Sequence, residues 1–339
     1  MRLIIERNTD PCHNLAREET LLNQASGETV YLWRNSSSVI IGRHQNTLAE
    51  IDEQAVENHG VTVVRRLTGG GAVFHDLGNI NFSFLFTSEN FDEKAAKGCL
   101  MVIDFLASLG VDAQLSGRND ICVQSPDGSM VKIAGTAMTE RKGGGIFHCC
   151  VLFDCDLQTM EEVLTPSAAK LTAKGIASVR SRVSNLKDLV PQLQSMNRDG
   201  FFETWADYLS KRYEYCAEMT EQEKEETEKL MRERYQSWQW NYGRNPAGKV
   251  VNSYQFPIGT VHLTLDLAKG RIKACTFSGD FINQYDFDEI TTCLADVPFD
   301  RASLAAALSA IDLCKFFAIE NEELILDFMT GRHLEHEKN

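Results

Sequence analysis

The stretch RRLTGGGAVFHDLGN, residues 65–79, places three successive glycines between two arginines and a short apolar segment. The residues VTVV just before it are apolar or β-branched, and INFSFLF just after it alternates, so that Phe82, Phe84 and Phe86 share one face. Both flanks therefore predict strands, with the glycines at a strand end. The residues HDLGN predict a turn in which Gly78 has a positive φ.

A run of glycines has no Cβ atoms, so a ligand can approach its backbone closely. A β-bulge or a hairpin corner is the alternative use of such a triplet. A Walker loop needs GxxxxGK, and a dinucleotide fingerprint needs GxGxxG at the start of a helix, whereas GGGAVFHD leads into a strand. The sequence therefore excludes both of these phosphate-binding loops.

The composition is that of a globular protein, with 43% hydrophobic and 24% charged residues among 339. No apolar run is long enough to span a bilayer, and the N-terminus has no signal-peptide pattern, so a cytoplasmic protein that binds no membrane is expected. The net charge of −14 disfavours nucleic acid as a partner. The ten cysteines form no CxxC pair, which predicts reduced thiols and no tightly bound metal.

Three further segments carry structural signals. Residues 92–109 have apolar residues at helical spacing and end at Gly110, a typical helix stop. Residues 120–138, DICVQSPDGSMVKIAGTAM, predict a β-hairpin around the PDGS turn. Because Val131 and Ile133 would face the core, Lys132 is expected on the opposite face.

Residues 163–187 contain no acidic residue, so this basic window could bind a small anion. Its cations are Lys170, Lys174, Arg180, Arg182 and Lys187.

The domain boundary is expected near residue 245. Residues 217–236 are rich in Glu, Lys and Arg, which predicts a solvated helix, and WQWNYGRNPAGK follows it. Beyond residue 250, a pattern of two or three strands precedes two helices, as in a small α/β domain. The predicted domains are residues 1–245 and 250–339.

The chain resembles the two-domain bacterial type of the lipoate-protein ligase A family, which is related in fold to the biotin-protein ligases. The resemblance rests on RRLTGGGAVFHDLGN, on VKIAGTAM around Lys132 and on KGIASVRSRVSNL at residues 174–186. NLAREE, YLWRNSSSVIIGRHQN, SGRND and SWQWNYG extend it over residues 1–245. It implies an α+β fold with mixed, largely antiparallel sheets flanked by helices, followed by a small α/β accessory domain at the C-terminus.

The resemblance also implies an activity. Such ligases activate lipoate with ATP and Mg to lipoyl-AMP, release pyrophosphate, and transfer the lipoyl group to a lysine of an acceptor protein. The implied acceptors are the lipoyl domains of 2-oxoacid dehydrogenase E2 subunits and the glycine cleavage H protein. A monomer is expected.

Lys132 matches the family lysine that contacts both the carboxyl group of lipoate and the phosphate, and it is the candidate catalytic residue. A cation suits this position because attack of a carboxylate on the α-phosphate brings two anions together. The candidates for adenylate binding are Arg66, Gly71, Ala72, Val73, Phe74, Lys132, Lys174, Arg180 and Arg182. The candidates for lipoate binding are Gly69, Gly70, Gly71, His75, Lys132 and His148.

Two other parts of the site are Asp120 and the basic window. Asp120 either orients Lys132, binds magnesium carried by the nucleotide, or caps the hairpin. The basic window resembles the loop that closes over the adenylate in this family, and such a loop would exclude water from the mixed anhydride.

The stretch FHCC, residues 147–150, suggests alternative functions. After the first histidine of this stretch, bacterial ligases more often have a second histidine, whereas this chain has cysteine. Transferases of the same fold form a thioester on a cysteine without ATP, and Cys149 or Cys150 could serve in that way. A transferase that accepts preformed lipoyl-AMP is intermediate between the two. A non-catalytic acyl-binding protein would lose the lysine or the glycines, and this chain keeps both.

Overall fold

The computed structural model describes residues 1–87, 89–117, 120–125, 127–141, 143–164, 183–213, 215–216, 218–244, 248–281, 285 and 287–331. The chain divides into two compact units, Met1–Asn241 and Tyr242–Asn339. In the described residues, no helix has both the length and the apolar character needed to cross a membrane.

The first unit is built on an eight-stranded sheet. Its strands are β1 Arg2–Ile5, β2 Thr29–Trp33, β6 Asn79–Thr87, β7 Ala113–Ser116, β8 Asp120–Gln124, β9 Met130–Arg141, β10 Gly144–Leu152 and β11 Tyr215–Cys216. They lie in the order β11-β1-β2-β6-β10-β9-β8-β7. Strands β1 and β2, and β1 and β11, are parallel, and the other neighbours are antiparallel. A smaller sheet of order β4-β3-β5 is formed by β3 Ser38–Ile41, β4 Thr62–Arg65 and β5 Val73–His75.

Helices cover both faces of the large sheet. Those in the described part of the first unit are α1 Pro11–Asn23, α2 Glu53–Asn58, α3 Phe91–Ser108, α4 Leu157–Val163, α5 Leu186–Leu189, α6 Arg198–Arg212, α7 Glu221–Leu230 and α8 Trp238–Asn241. Short 3₁₀ turns lie at Thr47–Ala49 and Pro191–Leu193, and the segment Met231–Tyr235 continues α7 as a π-helix.

Two apolar cores lie on opposite faces of the large sheet. On one face, Phe82 and Phe84 of β6 pack with α3 and α6, where the rings of Phe105 and Trp205 stack 4.4 Å apart. On the other face, Tyr31 of β2 packs with α1 and with Ile40 of the small sheet. Side chains alternate between these faces because successive residues of a strand point to opposite sides. The predicted common face of Phe82, Phe84 and Phe86 is confirmed, since all three lie in the first core.

Helix boundaries follow local chemistry. Asp10 caps α1 by accepting the N–H groups of Cys12 and His13, and Pro11 occupies the first turn, where no N–H is needed. Helix α3 ends at Ser108, and Gly110 two residues later has a φ of 75°, which confirms the predicted stop.

Two predictions about the first unit were wrong in part. Gly78 has no positive φ; it is needed for space instead, because a Cβ there would lie 1.9 Å from the carbonyl oxygen of Asp154. The predicted solvated helix at 217–236 is amphipathic: Thr227 and Tyr235 are fully buried, and Tyr235 donates a hydrogen bond to Glu19. The sequence did not predict this narrow buried face because most residues of the segment are charged or polar.

The second unit has a three-stranded antiparallel sheet of β12 Gly248–Phe256, β13 Gly259–Ala268 and β14 Arg271–Gly279. Its helices in the described residues are α9 Asp288–Leu294, α10 Arg301–Leu308, α11 Leu313–Phe317 and α12 Glu322–Thr330. The prediction of two helices was therefore wrong, because short loops divide the apolar pattern into four. The α+β class is confirmed: both units combine sheets that are mainly antiparallel with helices.

Candidate active site

Polar side chains line one face of the large sheet, opposite the phenylalanine core. His148 of β10 lies between Ser83 of β6 and Ala137 of β9, and Cys150 lies between Asn81 and Gly135. Residues directly opposite one another on neighbouring strands share a face. We call this surface the site face and define it by Asn79, Asn81, Ser83, His148, Cys150, Gly135 and Lys132.

Lys132 lies on β9 at the end of the site face. Its Nζ atom lies 2.7 Å from Oδ1 of Asp120 on β8, and both side chains are partly exposed, at 30% and 39%. Its backbone carbonyl accepts a hydrogen bond of 3.2 Å from the N–H of Ser184. Val183 pairs with Lys132 as a parallel bridge, so the C-terminal part of the basic window joins the strand of the lysine.

The glycine run is held by Arg66. Its guanidinium donates to the carbonyl oxygens of Ile40, Gly69 and Gly71 at 2.9, 2.7 and 2.8 Å. Burial lowers the pKa of Arg66 to about 10, which is still high enough to keep the group charged at neutral pH. Arg66 therefore fixes the shape of the loop from within.

A second glycine approaches the run closely. A Cβ on Gly42 would lie 2.0 Å from the carbonyl oxygen of Gly70, and Gly70 itself has a φ of 96°. Both positions thus require glycine, one for space and one for conformation. Gly69, by contrast, would place a Cβ 4.0 Å from the ring of His44, its nearest neighbour. The run therefore packs backbone against backbone at Gly70 and leaves room at Gly69.

A chain of hydrogen bonds joins the glycine loop to the site face. Nε of Arg66 donates to Oγ1 of Thr68 at 3.0 Å, and Thr68 lies 2.8 Å from Nε2 of His148. Nδ1 of His148 lies 3.1 Å from a carboxylate oxygen of the buried Glu18. One neutral tautomer of His148 satisfies every bond, with Nδ1–H donating to Glu18 and Nε2 accepting from Thr68.

Glu18 also receives a hydrogen bond of 2.6 Å from the hydroxyl of Ser83, which in turn accepts from Trp33 Nε1 at 2.9 Å. We refer to the chain Arg66–Thr68–His148–Glu18 as the relay. It ties helix α1, strand β10 and the glycine loop into one polar unit on the side of the sheet away from the phenylalanine core.

His75 lies beside the site face at the end of β5. Its Nδ1 atom is 3.2 Å from the amide nitrogen of Asn35 and 3.5 Å from that of Asn81. The amides are the donors, so Nδ1 accepts and Nε2 carries the proton. Within the described residues, this buried Nε2 has no hydrogen-bond partner. Burial, with the nearby charge of Arg66, lowers the pKa of His75 to about 3, and the ring is neutral.

Comparison with known families identifies the family of the chain. Residues 10–210, more than half of the chain, match the model of the lipoyl protein ligase A/B catalytic domain. Residues 245–328 match that of the bacterial lipoate protein ligase C-terminus. The chain belongs to the lipoate-protein ligase family.

Individual members are similar over most of their length. "Lipoate-protein ligase LplJ" of Bacillus subtilis is 38% identical over 94% of this chain and 97% of its own. A bipartite lipoate protein ligase from Thermoplasma acidophilum, described with its E2 lipoyl domain, aligns with a TM-score of 0.60 at 28% identity, over 74% of this chain and 98% of its own. A crystal structure of lipoate-protein ligase A bound with ATP aligns at 0.58 and 27% identity, over 72% and 98% of the two chains.

The structure brings together several of the residues that the family resemblance named. Lys132 and His148 lie on the site face, Asp120 pairs with Lys132, and Arg66 reaches His148 through Thr68. The side chain of Phe74 is buried. Lys170, Lys174, Arg180 and Arg182 of the basic window lie outside the described residues. Lys187 is described, and its Nζ atom lies 3.0 Å from a carboxylate oxygen of Asp154.

The two cysteines of FHCC have different surroundings. Cys149 is buried in the phenylalanine core, on the face away from Lys132, and this burial raises its thiol pKa well above the usual value. Cys150 lies on the site face, and its Sγ atom is 3.7 Å from the carbonyl oxygen of Gly135. Cys149 therefore cannot supply a thiolate to this site, whereas Cys150 faces it.

Sequence reasoning missed two parts of the site. Glu18 lies in a helix between buried apolar residues, and an acidic residue at such a position is the signal that would have singled it out. Arg65, adjacent to Arg66, is fully buried and donates to the carbonyl oxygens of Gly42, Trp240 and Asn241. It thus anchors helix α8 beside the glycine loop.

Asp120 is the remaining candidate for a metal role. No group of three or more His, Cys, Asp or Glu side chains among the described residues could hold a metal ion. Asp120 forms an ion pair with Lys132, with Oδ1 and Nζ 2.7 Å apart. This geometry suits the orienting role, in which the carboxylate holds the ammonium group in place.

Proposed function

We propose that this protein is an ATP-dependent lipoate-protein ligase that converts lipoate and ATP to lipoyl-AMP and pyrophosphate, and then transfers the lipoyl group to a lysine of an acceptor domain. Membership of the family supports the activity, as does the similarity over nearly the whole chain to the Bacillus subtilis ligase. Similarity to a ligase described with bound ATP supports the nucleotide.

One observation carries this proposal: the ammonium group of Lys132 is held at the end of a polar sheet face that leads to the glycine loop. In the first half-reaction, a carboxylate oxygen of lipoate bonds to the α-phosphorus while the bond to the β-phosphate oxygen breaks. Pyrophosphate leaves with that electron pair. A fixed cation between the two anions stabilises the charge that develops in this step, and Lys132 supplies it.

We assign lipoate to the site face and the glycine loop. Gly69 is the open position of the loop, and Gly70, Gly71, His75 and His148 surround the same region. Strand β6 contributes Asn81 and Ser83 to the proposed lipoate site, since its phenylalanines point into the core on the opposite face. Because His75 is neutral, an apolar acyl chain that passes it does not face a buried charge on that ring.

The adenylate then lies against the loop, with Arg66 behind it and the backbone of Gly71, Ala72, Val73 and Phe74 beside it. Lys132 reaches the α-phosphate, and the basic residues Lys174, Arg180 and Arg182 complete the anion site. Magnesium arrives with the nucleotide, and Asp120 acts mainly by orienting Lys132. The domains serving these steps are residues 1–245, the catalytic domain, and 250–339, the accessory domain.

The acceptors we propose are lipoyl domains of 2-oxoacid dehydrogenase E2 subunits and the glycine cleavage H protein. The first is supported by the relative from Thermoplasma acidophilum, which is described with its E2 lipoyl domain. We further propose that the enzyme acts as a monomer in the cytoplasm, where ATP and these acceptors occur together.

Cys150 supports one competing function, a transferase that forms an acyl thioester and needs no ATP. Its place on the site face is the observation in favour of it. The relay and the paired Lys132 favour the ligase instead, because a thioester mechanism needs a base beside the thiol rather than an ammonium group held by a carboxylate.

The deciding experiment measures lipoate-dependent exchange of labelled pyrophosphate into ATP, without acceptor, in wild type and in Lys132→Ala. Exchange that disappears in Lys132→Ala supports the ligase and the role of the lysine. Lys97→Ala, which removes an exposed ion pair with Glu28, is the control and should keep full exchange. Absence of exchange in wild type, with acyl transfer that depends on Cys150, would establish the transferase.

A further inference from the structure

Strands β8 and β9 are out of register beside Lys132. Ile121 pairs with Ala134, but the next residue, Cys122, pairs with Lys132. Ile133 is therefore an extra residue on β9, which is a β-bulge.

The bulge changes which side chains share a face. In a regular strand Lys132 would lie on the side of Ala134, and Ala134 is fully buried in the phenylalanine core. With the extra residue, Ile133 and Ala134 both point into that core, and Lys132 shares the site face with Gly135. A one-residue irregularity thus moves the lysine out of the core face.

Gly135 lies directly opposite Asp120, the partner of Lys132. A Cβ on Gly135 would lie 3.4 Å from Nζ and 3.6 Å from Cε of Lys132, and 3.9 Å from Sγ of Cys150. The side chain of Lys132 therefore lies over the bare backbone of Gly135 to reach Asp120. Gly135 does not have a positive φ, so its backbone conformation is open to other residues. The side chain of Lys132 fills the space above Gly135, so a methyl group there would contact the lysine and a larger side chain would need its volume.

We propose that Gly135 is a positioning residue for Lys132. Together with the bulge at Ile133, it leaves open the space through which the side chain of Lys132 reaches Asp120 on the site face. This role rests on the function proposed for Lys132, because the position of the ammonium group matters only if that group acts in adenylate formation. A side chain at residue 135 would redirect the lysine without removing its charge.

The variants Gly135→Ala and Gly135→Val form a graded test. An alanine methyl makes an ordinary contact with the lysine, whereas the branched methyls of valine need the volume that Nζ and Sγ of Cys150 now fill. Valine also suits a strand, so the fold should persist, and circular dichroism with thermal unfolding checks this. Gly27→Ala is the matched control, since a Cβ there meets no atom within 4 Å.

The first readout is independent of ligase activity. Limited acetylation of the protein at pH 8, followed by mass spectrometry, measures the reactivity of the Lys132 amine. Displacement from Asp120 should raise the labelling of Lys132 about threefold in Gly135→Val, as expected for loss of a partly exposed ion pair. Asp120→Asn should raise it by the same factor, and the double variant should show no further increase. Unchanged labelling in Gly135→Val would overturn the proposal.

The second readout is the rate of lipoyl-AMP formation. We expect a loss of a few-fold in Gly135→Ala and of about 100-fold in kcat in Gly135→Val, with a smaller change in the KM for lipoate. Increased labelling with an unchanged kcat would show that the position of the lysine does not matter and would also overturn the proposal. If Lys132→Ala itself kept full activity, the function proposed for Lys132 would fail instead, and the labelling result would stand alone.

Discussion

The Nζ atom of Lys132 lies 2.7 Å from Oδ1 of Asp120, although the direct cross-strand neighbour of Lys132 is Cys122 and that of Asp120 is Gly135. The ion pair is thus diagonal across the hairpin, and the side chain of Lys132 runs along its strand to make it. Such a pair is short enough to fix the direction of the ammonium group. This geometry suits the proposed orienting role of the Asp120 carboxylate, which does not require a metal.

Replacing Asp120 by Asn should lower the rate of lipoyl-AMP formation about tenfold, the effect of losing one charge-assisted hydrogen bond that holds the lysine. The rate is measured by pyrophosphate exchange over a range of Mg concentrations. Loss of the orienting role predicts a defect that persists at every Mg concentration. Asp112→Asn, at an exposed position before β7, is the control. Full recovery at high Mg would show that Asp120 is a magnesium ligand.

The relay predicts a specific role for Thr68. Its hydroxyl accepts from Arg66 and donates to His148, so Thr68→Val removes this hydrogen-bond partner from Nε of the buried Arg66 and from Nε2 of the partly buried His148. We expect a loss of about 2 kcal/mol in the free energy of unfolding, measured with urea, and weaker binding of lipoate. Thr62→Val, at an exposed position on β4, should be close to neutral. A neutral Thr68→Val would mean that water replaces the hydroxyl and that the relay does not organise the loop.

The cysteines give a prediction that separates the two candidate functions. Cys150→Ser keeps the shape of the site face but removes a thiol nucleophile, so a ligase should keep its pyrophosphate exchange and its transfer to an acceptor domain. Cys149→Ser should also keep exchange, while losing about 1–3 kcal/mol of stability because a hydroxyl replaces the thiol in an apolar core. Loss of transfer in Cys150→Ser alone would support a thioester intermediate.

The sequence predicted those elements whose signals are local. The alternation of INFSFLF, the glycine after α3 and the PDGS hairpin each depend on neighbouring residues, and all three are confirmed. The prediction of a positive φ at Gly78 was wrong because glycine is needed there for a different reason. The carbonyl oxygen of Asp154, which is distant in the chain, leaves no room for a Cβ. The sequence did not show that α7 is amphipathic, because its few buried positions stand among many charged residues.

For the site, the sequence named single residues but not the contacts between them. Family resemblance named Lys132, Arg66 and His148, whereas the relay that connects the last two requires Thr68 and Glu18, which lie 50 residues apart in the chain. The bulge at Ile133 was invisible because a regular period of two already placed Lys132 opposite Ile133. That period gave the right face for the lysine, but it could not show that Gly135 shares this face.

His75 has a further consequence for stability. The ring is buried and neutral, with Nδ1 accepting from Asn35 and Asn81, and its pKa falls from 6.5 to about 3. In an unfolded chain the same histidine takes up a proton near pH 6.5. Between about pH 6.5 and pH 3 the unfolded state therefore binds one more proton than the folded state at this residue, so acid favours unfolding.

The free energy of unfolding should accordingly fall by about 1.4 kcal/mol per pH unit below pH 6.5 because of His75 alone, or about 2 kcal/mol by pH 5. His75→Asn keeps an acceptor near the position of Nδ1 but cannot take up the proton. Urea unfolding between pH 7.5 and pH 5 should show a shallower pH dependence for His75→Asn than for wild type, although the variant is less stable at neutral pH because it leaves a cavity. His262→Asn, at an exposed position in the second unit, is the control. Equal pH dependence in wild type and His75→Asn would mean that His75 can be protonated in the folded protein, and that the site can accept a positive charge beside Arg66.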